Sequence, residues 1–170
     1  IAIGGLFELY TSHHVTYLWT LAIGLTGGAL IDLGLGFPQE ARVVIRRPYL
    51  RWIGYGIGLI LAFSAYRTLY NFNDPTAYIK AWQIIYGFTG LSALFYFGAL
   101  FYHAFSSYSP VVKSQARTIL FGSLIAFGPV AVWMLYTAFI QSYSPNSGAG
   151  FNPYLLLFTI AFPVVNGYVI

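Results

Sequence analysis

The sequence predicts an all-α, polytopic transmembrane helix bundle of about five spanning helices plus the end of a preceding helix. Three observations predict it. Of 170 residues, 58% are hydrophobic and 7% charged, against roughly 25% charged in a soluble domain. The mean hydropathy is +0.70. Apolar runs close to the roughly 20 residues that a bilayer core requires alternate with short turns rich in Pro, Asn, Ser and Arg. Aromatic residues make up 20% of the chain, and the Tyr and Trp among them suit the membrane–water boundary.

The first predicted helix runs from about His14 to Gly36 and is closed by Phe37-Pro38. The second runs from about Tyr49 to Tyr70, opened by Pro48 and closed by the turn Asn71–Pro75. The third covers about Ala77 to Phe105 and stops before Ser106–Pro110. The fourth covers about Val111 to Gln141, with Gly128-Pro129 as an expected kink. The polar loop Ser142–Gly150 leads to a fifth, from about Asn152 to Ile170, with Pro163 inside it. Residues 1–10 read as the tail of an earlier helix. The chain is taken as one transmembrane domain, residues 1–170, and as a fragment of a longer protein, since both ends fall in apolar sequence.

Charge sets the expected orientation. Arg42, Arg46, Arg47 and Arg51 lie between the first two helices, and Lys113 and Arg117 between the third and fourth. On the other side stand Arg67 and Lys80. Six basic residues against two predict that the Arg42–Arg51 and Lys113–Arg117 loops are cytoplasmic, in a multi-pass protein of the bacterial inner membrane. The net charge of +4 is thus explained by topology, and nucleic acid is not an expected partner. Expected partners are the lipid bilayer, other membrane helices or subunits, and a second copy of the chain. The absence of cysteine excludes disulfides, thiolate metal sites and Cys nucleophiles.

Gly24, Gly28, Asp32 and Gly36 recur every four residues on one face of the first helix, and Gly54 and Gly58 repeat the spacing in the second. Small residues at this interval let helices approach closely, either as plain packing or as a contact that slides to transmit a signal. Asp32 is a costly residue in a membrane helix and calls for a partner. Arg51, near the same membrane face, is the expected one, and Asp32 is then a structural pair or hydrated carboxylate, a switch ion pair or a proton site. His13, His14 and His103 are candidate pigment or haem ligands, but His103 lies a membrane's width from the other two. They form no common metal site and no axial pair, so interfacial histidine explains them as well, and no cofactor or metal is expected. Glu8, Asp74 and Lys80 could line an outer vestibule with Tyr10, Tyr17, Tyr70 and Tyr78, or simply decorate the interface. No nucleophile elbow, phosphate loop or dinucleotide fingerprint occurs, and the glycines of Gly54–Gly58 sit within an apolar helix.

The run Gly28–Arg42, followed by Arg46-Arg47-Pro48-Tyr49-Leu50, resembles a junction in bacterial sensor proteins, where a helix ends in Phe-Pro and Arg-Arg-Pro opens the next. Ser109–Gly122 resembles the second cytoplasmic junction of the same family, Ser-Pro…Gln-x-Arg…Gly, and Phe162–Ile170 is similar to its last helix. The family is the N-terminal seven-helix membrane region of bacterial histidine kinases and related signalling proteins. The resemblance spans about Gly28 to Ile170. It implies that the first helices and a cytoplasmic output domain are missing from this sequence, and it carries over no ligand-binding residue. No phospho-accepting His motif is present, so the segment itself is not expected to be an enzyme. The function expected is a non-catalytic signal-input module. The alternatives are an accessory subunit of a membrane electron-transfer or photosynthetic complex, and a small transporter or channel, which would need more intramembrane polar groups than this chain supplies.

Overall fold

The computed structural model of the chain describes residues 16–69, 71, 73–74 and 77–140, with the backbone but not the side chain of Arg42. The expected fifth helix, the tail before the first, His13, His14, Glu8, Tyr10 and Tyr70 lie outside the described residues. Within them the chain is all-α: α1 (Thr16–Gly36), α2 (Arg42–Arg46), α3 (Leu50–Tyr66), α4 (Ala77–Ser106) and α5 (Pro110–Phe139). The helices α1, α4 and α5 are long and apolar enough to cross a membrane, and α3 is a shorter apolar helix. At 1.5 Å per residue, the 30 residues of α4 or α5 extend about 45 Å, beyond a hydrocarbon core of about 30 Å.

Local chemistry accounts for the helix ends. In α1 the hydroxyls of Thr20 and Thr26 donate back to the carbonyls of Thr16 and Ala22, so polar side chains are satisfied without leaving the helix. Before Pro38 the helical conformation is disfavoured, and α1 stops at Gly36. Ser109 caps α5, its hydroxyl accepting from the Val112 amide at 3.5 Å, with Pro110 at the first helical position, where no amide is needed. α5 then runs unbroken past Pro129 to Phe139. The second predicted helix is shorter than expected. After Tyr66 the amides of Thr68 and Leu69 both bond the Ala65 carbonyl, and the Thr68 hydroxyl bonds it too, which closes the helix before Tyr70. The five-residue α2 was not expected; it occupies the middle of the first basic loop.

Side-chain contacts fix the topology. Gly24 meets Gly58 and Gly28 meets Gly54, so α1 and α3 are antiparallel. Thr20 pairs with Trp82, Gly27 with Phe88 and Gly34 with Phe95, so α1 and α4 are parallel. Gln83 reaches Thr137, Tyr96 reaches Ser123 and Ala104 reaches Arg117, so α4 and α5 are antiparallel. The principal contacts run α3 to α1 to α4 to α5, with a lesser one between α3 and α4. The C-terminal ends of α1 and α4 therefore share one end of the bundle with the first basic loop and with Lys113 and Arg117, which stand in the first turns of α5 and not, as expected, in a loop.

Burial is distributed as lipid would require. The interior sets large side chains such as Ile85 and Leu100 among small and hydroxyl residues: Ala62, Ala65, Ala104, Ala116 and Ala126 are fully buried, as are Thr20, Thr89 and Ser123 to within a few per cent. Many other large apolar side chains point outward, among them Ile53, Ile57, Ile60 and Phe63 on α3 and Phe121, Ile125, Val132 and Phe139 on α5. A water-soluble monomer does not expose apolar surface on this scale. In hydrocarbon, where greasy side chains gain nothing by turning inward, small residues at the contacts allow close packing. The chain is a multi-pass membrane protein.

Candidate functional site

The densest constellation of unusual chemistry is the seam between α1 and α3, together with the ion cluster at its basic end. The seam is a backbone contact. A Cβ placed on Gly24 would lie 2.6 Å from the Gly58 carbonyl oxygen, and one on Gly28 would lie 2.8 Å from the Tyr55 backbone. Gly54 in turn faces the Cα of Gly28 at 3.1 Å from such a Cβ. Four glycines at helical spacing thus let two main chains touch, a separation that no side chain would permit.

At its far end the seam is closed by aromatic residues. The Tyr66 hydroxyl donates to the Tyr17 carbonyl at 2.7 Å, and the two rings meet edge-on at 5.0 Å. At the basic end stands Arg51, in the first turn of α3. Its Nη2 donates to Glu40 Oε1 at 2.7 Å, and its Nε lies 3.5 Å from Asp32 Oδ1. The second contact is an ion pair without hydrogen-bond geometry, so the buried Nε is left without an acceptor. Tyr55, one turn along α3, donates its hydroxyl to Asp32 Oδ2 at 3.5 Å. One guanidinium is therefore shared by two carboxylates, one from the last turns of α1 and one from the connecting turn. Arg51 and Asp32 are each 35% exposed and Glu40 is 53% exposed. At such exposure an ion pair contributes on the order of 0–1 kcal/mol, which suits an exchangeable contact better than a fixed strut.

Of the residues singled out in the sequence, Gly24, Gly28, Gly54, Gly58, Asp32 and Arg51 are brought together here. Gly36 is not part of the helix–helix contact. It is half-buried, and a Cβ there would sit 3.2 Å from Arg51 Nη2, so its role is to leave room for the guanidinium. His103 is half-buried near the end of α4, its ring edge-on to Tyr102. Among the described residues no cluster of His, Asp and Glu could hold a metal. Of the expected vestibule, Tyr17 belongs to the seam, Tyr78 packs edge-on against Trp82, and Asp74 and Lys80 are exposed.

Sequence reasoning missed three participants. Glu40 sits in a turn whose course the sequence left open, eleven positions before its partner Arg51. Tyr55 and Tyr66 are two of fifteen tyrosines, and only the pairing of Gly28 with Gly54 indicates which of them face α1. A second kind of glycine contact was also missed. Gly27 and Gly34 form notches for the Phe88 and Phe95 rings of α4, and Gly90 of α4 one for Leu135 of α5.

Comparison with known proteins gives no match to any family model, curated protein or solved structure.

Proposed function

We propose that this chain is the signal-input module of a bacterial signal-transduction protein, in which movement of α3 along α1 carries the signal. The observation that supports this reading is Arg51, shared between Asp32 and Glu40 at the end of a glycine-lined contact. A seam in which main chains touch has few interlocking side chains to resist axial displacement, the tip of Ile31 against Gly54 being one. A guanidinium hydrogen-bonded to Glu40 and only ion-paired to Asp32 has a second partner within reach. Displacing α3 by a fraction of a helical turn exchanges Arg51 from one carboxylate to the other at small net cost. A stimulus biases that exchange only if it binds the two arrangements unequally. The resemblance of the two basic junctions to those of the sensor family supports the same reading. So does the bias of positive charge, from which we infer a cytoplasmic side for these segments, where an output domain would act.

The test is the signalling output of the full-length protein in membranes. Wild type is compared with Arg51→Gln, which removes the shared cation, and with Gly58→Ala, which separates the helices. The reading expects both variants to lock the output at a stimulus-independent level. A full-length gene product with no cytoplasmic output domain, or wild-type responses from both variants, would overturn it.

A further inference from the structure

We propose that the elbow between α1 and α3 is a docking surface for the headgroups of anionic phospholipids. Within residues 41–52 the short helix α2 is held at two points and open at the others. The Ala41 amide donates to the Leu35 carbonyl at 2.9 Å, which ties the elbow to the end of α1. Val44 is 3% exposed and faces the protein. Its neighbours turn the other way: Val43 is 59% exposed, Ile45 65%, Tyr49 56% and Trp52 72%. Arg46 and Arg47 are exposed among them. An aliphatic and aromatic surface interleaved with guanidinium groups, at the end of spanning helices, is the composition of an interfacial anchor.

Charge complementarity selects the occupant. Asp32 and Glu40 pair with Arg51 rather than with Arg46 or Arg47, and the single negative charge that this triad keeps is outweighed by the other cations of this end. Arg117 donates its Nε to the Ala104 carbonyl and lies over the Phe105 ring. Six basic residues and two acidic ones occupy this end, which accounts for the whole formal charge of +4. A guanidinium matches two oxygens of a phosphate, and the flanking Ile45 and Trp52 can enter the upper acyl region beside it. A zwitterionic headgroup offers the same phosphate but cancels its charge with an ammonium. Discrimination should therefore follow headgroup charge.

The experiment extracts the full-length protein from bilayers of equimolar phosphatidylcholine and phosphatidylglycerol and counts retained lipids by native mass spectrometry. The wild type is expected to retain phosphatidylglycerol preferentially, with the preference falling as salt rises. Each basic residue near an anionic surface contributes about five-fold to partitioning, so the double variant R46Q/R47Q should lose on the order of ten-fold or more of the preference. K80Q, at the opposite end, should lose none. Equal retention of the two lipids by the wild type at low salt, or an unchanged preference in R46Q/R47Q, overturns the proposal. A second readout needs no arginine variant. Brominated phosphatidylglycerol should quench Trp52 fluorescence, taken as the difference between wild type and W52F, more than brominated phosphatidylcholine does. Equal quenching overturns it too.

Discussion

Gly58 and Gly56 stand two residues apart on the same helix and differ in what faces them. A Cβ on Gly58 would run into the Gly24 carbonyl, whereas one on Gly56 meets nothing within 4 Å. Gly58→Ala and Gly24→Ala must therefore push two main chains apart, and each should lower stability by about 1–3 kcal/mol, the range for overpacking a close contact. Gly56→Ala should cost nothing, since alanine is the better helix former. Unfolding in mixed micelles with increasing dodecyl sulfate checks the three together. Equal behaviour of Gly56→Ala and Gly58→Ala would show that the contact is not backbone to backbone. At Arg51 the relevant property is the fork rather than the charge. Arg51→Lys keeps the cation but has a single ammonium where the guanidinium bonds Glu40 through Nη2 and lies beside Asp32 through Nε. In the same unfolding assay Arg51→Gln should lose up to about 1 kcal/mol, as for a half-exposed pair, and Arg51→Lys should recover only part of it. Asp32 and its basic partner were legible from the sequence because a carboxylate in an apolar helix demands compensation. Glu40 was not, because a charged residue in a polar turn demands nothing.

The helices differ in how they are held together. Between α1 and α3 the main chains touch, whereas α4 and α5 are joined by hydrogen bonds and by side chains set into notches. The Tyr96 hydroxyl and the Ser123 hydroxyl lie 3.1 Å apart, both residues buried. Gln83 Nε2 donates to the Thr137 carbonyl at 3.4 Å. Between α1 and α4, Trp82 donates its indole N–H to Thr20 at 3.2 Å, and the Thr89 hydroxyl donates to the Ile23 carbonyl at 3.1 Å. Interhelical hydrogen bonds in membrane proteins average about 0.6 kcal/mol. A double-mutant cycle of Tyr96→Phe and Ser123→Ala should therefore give a coupling of about that size, measured by unfolding in micelles. A coupling indistinguishable from zero would mean that the two hydroxyls do not share a bond. The existence of α1, α3, α4 and α5 was readable because each is a long apolar run bounded by Pro, Asn or Ser. α2 was not, because five residues are too few to show a period and its Val-Val-Ile core reads equally well as a strand. The pairing of Tyr96 with Ser123 was also hidden, since helices that are apolar all round do not reveal which face is turned inward.

For the bundle as a whole, contact geometry and charge bias agree. Parallel α1 and α4 bring the Arg46 loop and Lys113 to one end and leave the Asn71–Asp74 turn at the other. The chain has no native cysteine, so single cysteines can report this without background. In sealed vesicles a membrane-impermeant maleimide should label Arg46→Cys and Lys113→Cys from the same side and Asn73→Cys from the opposite side. Labelling of positions 46 and 113 from different sides would contradict the helix directions found here. The alternation of loop charge makes this arrangement legible in the sequence. What the sequence could not supply is the order of helices across the bundle, because every apolar face is an acceptable neighbour for every other.

The two sides of α1 have unlike textures, and that asymmetry has a mechanical consequence. Toward α4, aromatic rings sit in the hollows at Gly27 and Gly34, so a shift along the axis would have to lift Phe88 and Phe95 out of their seats. Toward α3 the contact is chiefly main chain on main chain, with the tip of Ile31 set against Gly54, a tyrosine latch at one end and a shared arginine at the other. Among the described residues, axial strain would therefore fall first on the joint between α1 and α3, resisted also by the lesser contact of α3 with α4.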